Sequence, residues 1–460
     1  MTRSTASRST PRIIGLETEY GCMLEDVGPR AISQVRDWLF ERNRYGLVDR
    51  HDRGWDEPPG NGGFLFNGGR VYIDMGHIEY CTPECATVTD VVRYDRAGDR
   101  LLLEAVKALG LEDKVNFIRN NIDHYSGATF GCHENFSLLR AAPLTNKNLL
   151  SLLAFLTLRV LFTGSGRVGG VRRASDVRER TGEFQISQRA DFIENDFFEW
   201  VQHNRAIINT RDEPLADPRK YRRLHLIHGD THVLPSALFL KLGATRLVLD
   251  LLEADDLPPV ALSDAVGSLR DLSHQPYPPW RVSSEAGREA DAVELLSQFR
   301  ERALLRFGGR DADTDAILGL WKTVENGLAG ELSTLVGLVD WVTKYHLLET
   351  FRESEQLTWG NPWLEAQDLE YHQVDPKRSL GLALANRVGP WAPGDDDDLA
   401  LAQGPIDTRA GWRSIILRQL AAQKNAAYEI DWDKIDLGEG KSVWMLDPFQ
   451  TSEKSAERLP

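Results

Sequence analysis

An α+β fold is predicted, because the sequence mixes short alternating segments with long helical ones rather than reading as a doubly wound sheet. Alternation is clearest over residues 12–21 and 69–80, and helical period is clearest over 143–162, 234–254 and 290–350. A Pro/Gly-rich stretch ending in four aspartates then separates a short tail from the rest.

Taken in order, residues 1–11 are polar and basic with no apolar run, so they read as a frayed tail and not as a secretory signal. Residues 12–21 read as a strand. Ile14, Leu16 and Thr18 face one way, while Glu17 and Glu19 share the other face. Such a carboxylate pair can hold Mg2+ through hard oxygen ligands, although a solvated edge strand has the same pattern. In the next strand Val71 and Ile73 face one side, and Arg70, Tyr72 and Asp74 the other. A cation, a phenol and a carboxylate in one row suit a nucleotide site, with Glu79 and Thr82 just beyond. The segment 51–63, rich in Gly, Pro and Asp, is expected as a lid.

In the strand over 130–136, His133 and Glu134 fall on opposite faces, so at most one enters the site; a core histidine bonded to backbone is the rival role for His133. Residues 143–162 read as a buried helix with a polar start, and 234–254 as another. Over 208–230, Arg211 is a candidate phosphate clamp and His225 a candidate metal ligand in a lined cleft. The main domain is expected over 12–390, an acidic linker over 391–399 and a small C-terminal domain over 400–460.

Composition narrows the function. The 460 residues are 42% hydrophobic and 27% charged, an ordinary globular balance, with no apolar run of membrane-spanning length. A cytoplasmic location is expected. The net charge of -15 argues against a general nucleic-acid binder. Two basic stretches, Arg172/Arg173/Arg178/Arg180 and residues 219–223, are either a groove for an acidic partner or solvated surface. Cys22, Cys81, Cys85 and Cys132 form no disulfide framework and read as reduced thiols, with a Cys81/Cys85 redox pair as a remote option. Three motifs fail. The G-x-G-x-x-G match over 164–169 follows a helical run, not a strand. The calcium-loop match at 311–315 has Ala316 where glycine belongs and Lys322 where glutamate belongs. No Walker P-loop is present.

The polar segments themselves carry a resemblance. Gly-Leu-Glu-Thr-Glu-Tyr-Gly (15–21), Asn-Gly-Gly-Arg-Val-Tyr-Ile-Asp (67–74), Gly-Cys-His-Glu-Asn (131–135), Ser-Gln-Arg-Ala-Asp (187–191), Ile-Asn-Thr-Arg-Asp-Glu-Pro (208–214) and Lys-Tyr-Arg-Arg-Leu-His (220–225) occur in one chain. The sequence resembles the Pup ligase/depupylase family from about residue 12 to Phe449. That family is similar in fold to glutamine synthetase. The resemblance implies a large antiparallel sheet backed by helices, a concave nucleotide site and a small C-terminal domain. It implies ATP and Mg2+ as cofactors, with Glu17, Tyr72 and Glu79 at the magnesium site. It implies Arg70, Thr82 and Trp432 as nucleotide contacts and Asp74 as the catalytic carboxylate. Trp432 has a second role open to it, as a packing anchor between domains.

The implied chemistry is phosphorylation of the terminal glutamate of Pup, or of a Pup-like modifier, by ATP. Attack by a substrate lysine then forms an isopeptide bond. The implied partners are the modifier, lysine-bearing substrate proteins and proteasome components, with no membrane partner. Depupylases cut the same bond or deamidate the modifier. The short interval between Glu17 and Asp74 and the tail motif Leu-Asp-Pro-Phe (446–449) are ligase-like. The 184–192 segment, Gly166-Arg-Val-Gly169 and the tight spacing from Asp74 to Glu79 are depupylase-like, and Ile78 replaces the usual proline. The reading favours the ligase. A small-molecule carboxylate–amine ligase and a non-catalytic nucleotide-binding scaffold are the rival classes, and the complete Glu17/Tyr72/Asp74/Glu79 set argues against the scaffold.

Overall fold

The computed structural model describes residues 11–53, 57–123, 128–169, 183–200, 204–394, 397–423 and 427–451. Most of the expected tail, the basic cluster at Arg172, Arg173, Arg178 and Arg180, and Asp395 and Asp396 of the acidic run lie outside the described residues.

Seventeen strands are described. They are β1 (Ile14–Leu24), β2 (Gly46–Val48), β3 (Gly62–Leu65), β4 (Arg70–Asp74), β5 (His77–Cys81), β6 (Val115–Ile118), β7 (Cys132–Leu139), β8 (Arg167–Val168), β9 (Phe184–Gln185), β10 (Asn195–Phe198), β11 (Ala206–Asn209), β12 (Tyr221–Leu226), β13 (Arg281–Ser283), β14 (Glu289–Asp291), β15 (Glu429–Ile430), β16 (Lys434–Asp436) and β17 (Ser442–Trp444). Ten of them form one sheet in the order β10-β11-β12-β7-β1-β5-β4-β3-β2, with β6 paired to β1. Every pair except β10–β11 is antiparallel.

The α-helices are α1 (Arg30–Phe40), α2 (Val88–Ala108), α3 (Asn146–Leu158), α4 (Val160–Thr163), α5 (Pro235–Glu253), α6 (Ala265–Ser273), α7 (Ala292–Phe307), α8 (Ala312–Ala329), α9 (Asp340–Ser354), α10 (Pro362–Tyr371), α11 (Leu380–Leu384), α12 (Leu399–Ala402) and α13 (Arg409–Ala422). Helices cover one side of the sheet. Ile14, Leu16, Phe136, Leu224 and Leu226 point into a core shared with α3, α5, α7 and α8. Tyr20, Val71, Ile78 and Tyr80 enter a second core with α1 and α2. Helix α5 is buried on all sides, which its Leu-rich sequence without a polar stripe requires.

The α+β expectation holds. The helix expected over 143–162 is two pieces, α3 and α4, meeting at Arg159. Its polar start is real, since the Thr145 side chain accepts from the Asn148 N–H. Asp311, from the failed calcium loop, instead caps α8 by accepting from the Thr314 N–H at 2.7 Å. Part of the stretch expected as a lid is β3 itself. Gly62 lies so close to β4 that a Cβ would sit 2.2 Å from the Val71 carbonyl. The C-terminal segment places α13 and the β15–β17 sheet against the sheet edge. There Trp412, Ile416, Ile430 and Ile435 pack with Leu47, Phe64 and Phe66. All four cysteines are free.

Candidate active site on the open face of the sheet

Strand alternation and register together build the site. Across β1–β5, Glu17 lies opposite Cys81 and Glu19 opposite Glu79. Across β4–β5, Arg70 lies opposite Cys81, Tyr72 opposite Glu79 and Asp74 opposite His77. Glu17 also faces His133 on β7, and Asn135 faces His225 on β12. Directly paired residues share a face, so one face carries Arg70, Tyr72, Asp74, Glu79, Glu17, Glu19, His133, Asn135, Arg223 and His225. The opposite face carries the apolar residues that meet the helices.

Two clusters stand on this face. In the first, ligand atoms of Glu19, Asp74 and Glu79 all lie within 4.8 Å of one another. In the second the same holds for Glu17, His133 and His225. Glu17 is the hub of the second cluster. Its carboxylate meets His133 Nδ1 at 3.1 Å and accepts from Asn135 Nδ2 at 2.8 Å and Arg223 Nη2 at 3.3 Å. Burial opposes its ionisation, but the His133 hydrogen bond and the Arg223 charge outweigh it, and the carboxyl is held well below its usual range. The reverse holds for Glu79. Burial, then Glu17, Glu19 and Asp74, push it well above the usual range, with a Tyr72 hydrogen bond the only opposing contribution among the main ones. Burial also depresses His225, and neither of its ring nitrogens has a hydrogen-bond partner.

These features fit divalent cations. Three convergent carboxylates form a hard oxygen set, and a buried imidazole with both nitrogens open is a ready metal ligand. Nearby positive charge would oppose that rise and favour the ionised form of Glu79.

Arg70 is on the face but not free. Its Nη2 donates to Glu57 Oε2 at 2.6 Å and Asp49 Oδ2 at 3.2 Å, and its guanidinium lies 4.3 Å from the Tyr72 ring centre. The Thr82 hydroxyl accepts from the Leu16 N–H at 3.0 Å, tying the end of β5 to β1. Trp432 reaches the β3 end of the face, with its ring 5.2 Å from that of Phe64, the residue opposite Arg70. Both of its expected roles are thus available to it. Arg211 stands at the rim, exposed and paired with Glu213 at 2.8 Å.

Of the pair left open, His133 enters the site and Glu134 is buried beneath it. Asn135 and Arg223 were not anticipated. Alternation ties Asn135 to the face of His133, two positions away and itself left open, and Arg223 to the face of His225, the candidate metal ligand two positions away. Gly131 was also missed. A Cβ there would sit 2.2 Å from His133 Nε2 and 2.7 Å from Glu19 Oε1, between the two clusters. Gly131→Ala should therefore lower turnover about 10²-fold through displacement of site groups, with the unfolding midpoint little changed. Parallel rate and thermal-melt measurements check this.

The Pup-ligase protein family matches residues 12–436. The chain is 34% identical to the Pup–protein ligase of Acidimicrobium ferrooxidans, covering 98% of this chain and 99% of that one. It is 36% identical to the depupylase of Acidothermus cellulolyticus, covering 92% and 90%. A crystal structure of the prokaryotic ubiquitin-like protein Pup with its ligase PafA superposes with TM-score 0.81 at 30% identity, over 97% of this chain and 91% of that one. PafA in complex with ADP gives 0.77 at 29%, over 96% and 95%. With a fold and a polar sheet face of this kind, matched along nearly its whole length, the chain belongs to the Pup ligase family.

Proposed function

We propose that this chain joins the C-terminal glutamate of Pup, or of a Pup-like modifier, to lysine side chains of acceptor proteins, driven by ATP. The observation that carries the reading is the carboxylate-lined sheet face, with Asp74 grouped there with Glu19 and Glu79, in a chain similar to a Pup–protein ligase over 98% of its length. ATP binding is supported by the ADP complex of PafA.

The γ-phosphoryl group of ATP passes to the modifier's glutamate carboxylate, giving an acyl phosphate and ADP. The lysine nitrogen attacks the acyl carbon, phosphate leaves and the isopeptide bond forms. The lysine must first lose its ammonium proton, and Asp74 is the carboxylate proposed to accept it. Glu17, Tyr72, Glu79 and His225 are proposed to hold Mg2+, joined by Glu19 and His133. When bound, the metal would neutralise phosphate charge. Arg70 offers its guanidinium to phosphate once Glu57 yields it, while Thr82 and Trp432 border the nucleotide. Acceptor proteins and proteasome components are the proposed partners beyond the modifier.

The test incubates the protein with Mg-ATP, Pup ending in glutamate and a lysine-bearing acceptor. ADP release matched to a covalent adduct supports ligation. The similarity to a depupylase gives the second reading, which predicts cleavage of a preformed conjugate without stoichiometric ATP use. The metal assignment has its own check. Mg2+ at a hundredfold over its dissociation constant should stabilise the protein by about 2.7 kcal/mol, and Glu79→Ala should abolish most of that gain in a thermal melt.

A further inference from the structure

The nucleotide-facing end of the sheet is held by a buried ionic cluster that none of the proposed chemistry uses. Glu84, just past β5, accepts from Arg409 Nε at 2.6 Å, from Arg413 Nη1 at 3.2 Å and from Arg413 Nη2. The Arg413 side chain is fully buried. The two arginines hold Glu84 at about 2, against its burial. Replacement of such a cluster by apolar groups is often neutral for stability, so stability alone does not account for it.

Its geometry points toward the site. Arg413 Nη1 donates to the Trp432 carbonyl at 2.9 Å, and its guanidinium lies 4.9 Å from the Trp432 ring centre and 5.6 Å from that of Phe64. Arg413 Nη2 also donates to the Gly68 carbonyl at 2.8 Å. The neighbouring Ser414 hydroxyl donates to the Phe66 carbonyl. Helix α13 thus grips the β3–β4 turn, whose next residues are Arg70, Tyr72 and Asp74. Gly68 has a positive φ of 84°, and a Cβ there would come 2.9 Å from Ala410, so only glycine lets the turn approach the helix.

We propose that Arg413, anchored by Glu84, is a positioning residue for nucleotide binding, fixing Trp432 and the hairpin that bears Arg70 in one relative arrangement. This rests on the nucleotide-site reading above. Three anchor points at one planar guanidinium explain an arginine at this position, because lysine offers a point charge and cannot span them.

The test uses the full-length protein with Arg413→Met, Arg413→Lys and Trp432→Phe, alone and combined. Affinity is read with a fluorescent ATP analogue in Mg2+, and KM and kcat are measured for ATP and for Pup. Arg413→Met should raise the analogue's Kd and the KM for ATP about tenfold, with kcat at saturating ATP within about twofold and the KM for Pup unchanged. Arg413→Lys should be intermediate, and it carries the test if the methionine variant does not fold. Its effect should shrink in the Trp432→Phe background, because the two residues act as a unit. An unchanged KM for ATP in a folded variant, strict additivity with Trp432→Phe, or an equal fall in every parameter would overturn the proposal. Absence of analogue binding by the unaltered protein would instead overturn the nucleotide reading itself, and the proposal with it.

Discussion

Asp74→Asn is expected to reduce isopeptide formation about 10²–10⁴-fold, the usual contribution of a positioned general base. The substitution keeps the size and shape of the side chain and removes its negative charge, and with it its capacity to take a proton. Asp74 is the last residue of β4, opposite His77. Between them the chain reverses through Met75 and Gly76, both with positive φ, at 46° and 94°. This is the tight two-residue turn whose left-handed backbone favours glycine at its second position. The turn is anchored, since the His77 ring stacks on Phe130 with centroids 4.5 Å apart. Asp74 is therefore held on a short, rigid corner, a good site for a group that must meet an incoming amine. Binding of the ATP analogue should weaken by less than about tenfold, because the loss falls on a proton-transfer step rather than on ground-state contacts. Single-turnover adduct formation followed by mass, beside analogue titration, separates the two quantities. A variant that ligates within a few-fold of the parent would remove Asp74 from the chemistry.

The residues of the open face were legible because alternation in a strand is a local property. Once Glu17 was placed, Glu19 followed; once Arg70, then Tyr72 and Asp74. The alternation also split His133 from Glu134, but it could not say which faced the site, because either face of β7 accepts a polar residue. That answer depends on β1, since Glu17 selects His133, while Arg159, arriving from α3, selects Glu134. Pairings far apart in the chain were not legible. Nothing near Arg70 announces that Glu57 and Asp49 will hold it. Arg413, in a helix with no alternation to read, lies 329 positions from the Glu84 that it grips. The turn at Arg159 between α3 and α4 was not legible either. The apolar run continues through the break, while the Arg159 side chain is taken up by a carboxylate on another element.

That carboxylate should be one of the points at which acid weakens the fold. Glu134 and Arg159 are fully buried and bidentate, at 2.6 and 2.8 Å, with Lys241 Nζ 3.5 Å away. Burial by itself would raise the Glu134 pKa. The Arg159 and Lys241 charges more than reverse this, lowering it from 4.5 to about 2. A carboxyl whose folded value lies below its unfolded value stabilises the fold fully only above the unfolded value. Its contribution is therefore intact above about pH 4.5 and is lost as pH falls toward 2. The gap corresponds to about 3 kcal/mol. Glu134→Gln should cost about 3–5 kcal/mol at neutral pH, because it leaves two buried cations facing a neutral amide. The variant should also lose Glu134's own share of the acid sensitivity that the parent shows between pH 4.5 and 2, while the shares of Glu84 and Glu17, also held low, remain. Urea unfolding at pH 7 and pH 3 measures both. A loss under about 1 kcal/mol would mean that the pair contributes little beyond its own desolvation, and that the helical layer is seated on the sheet by apolar packing alone.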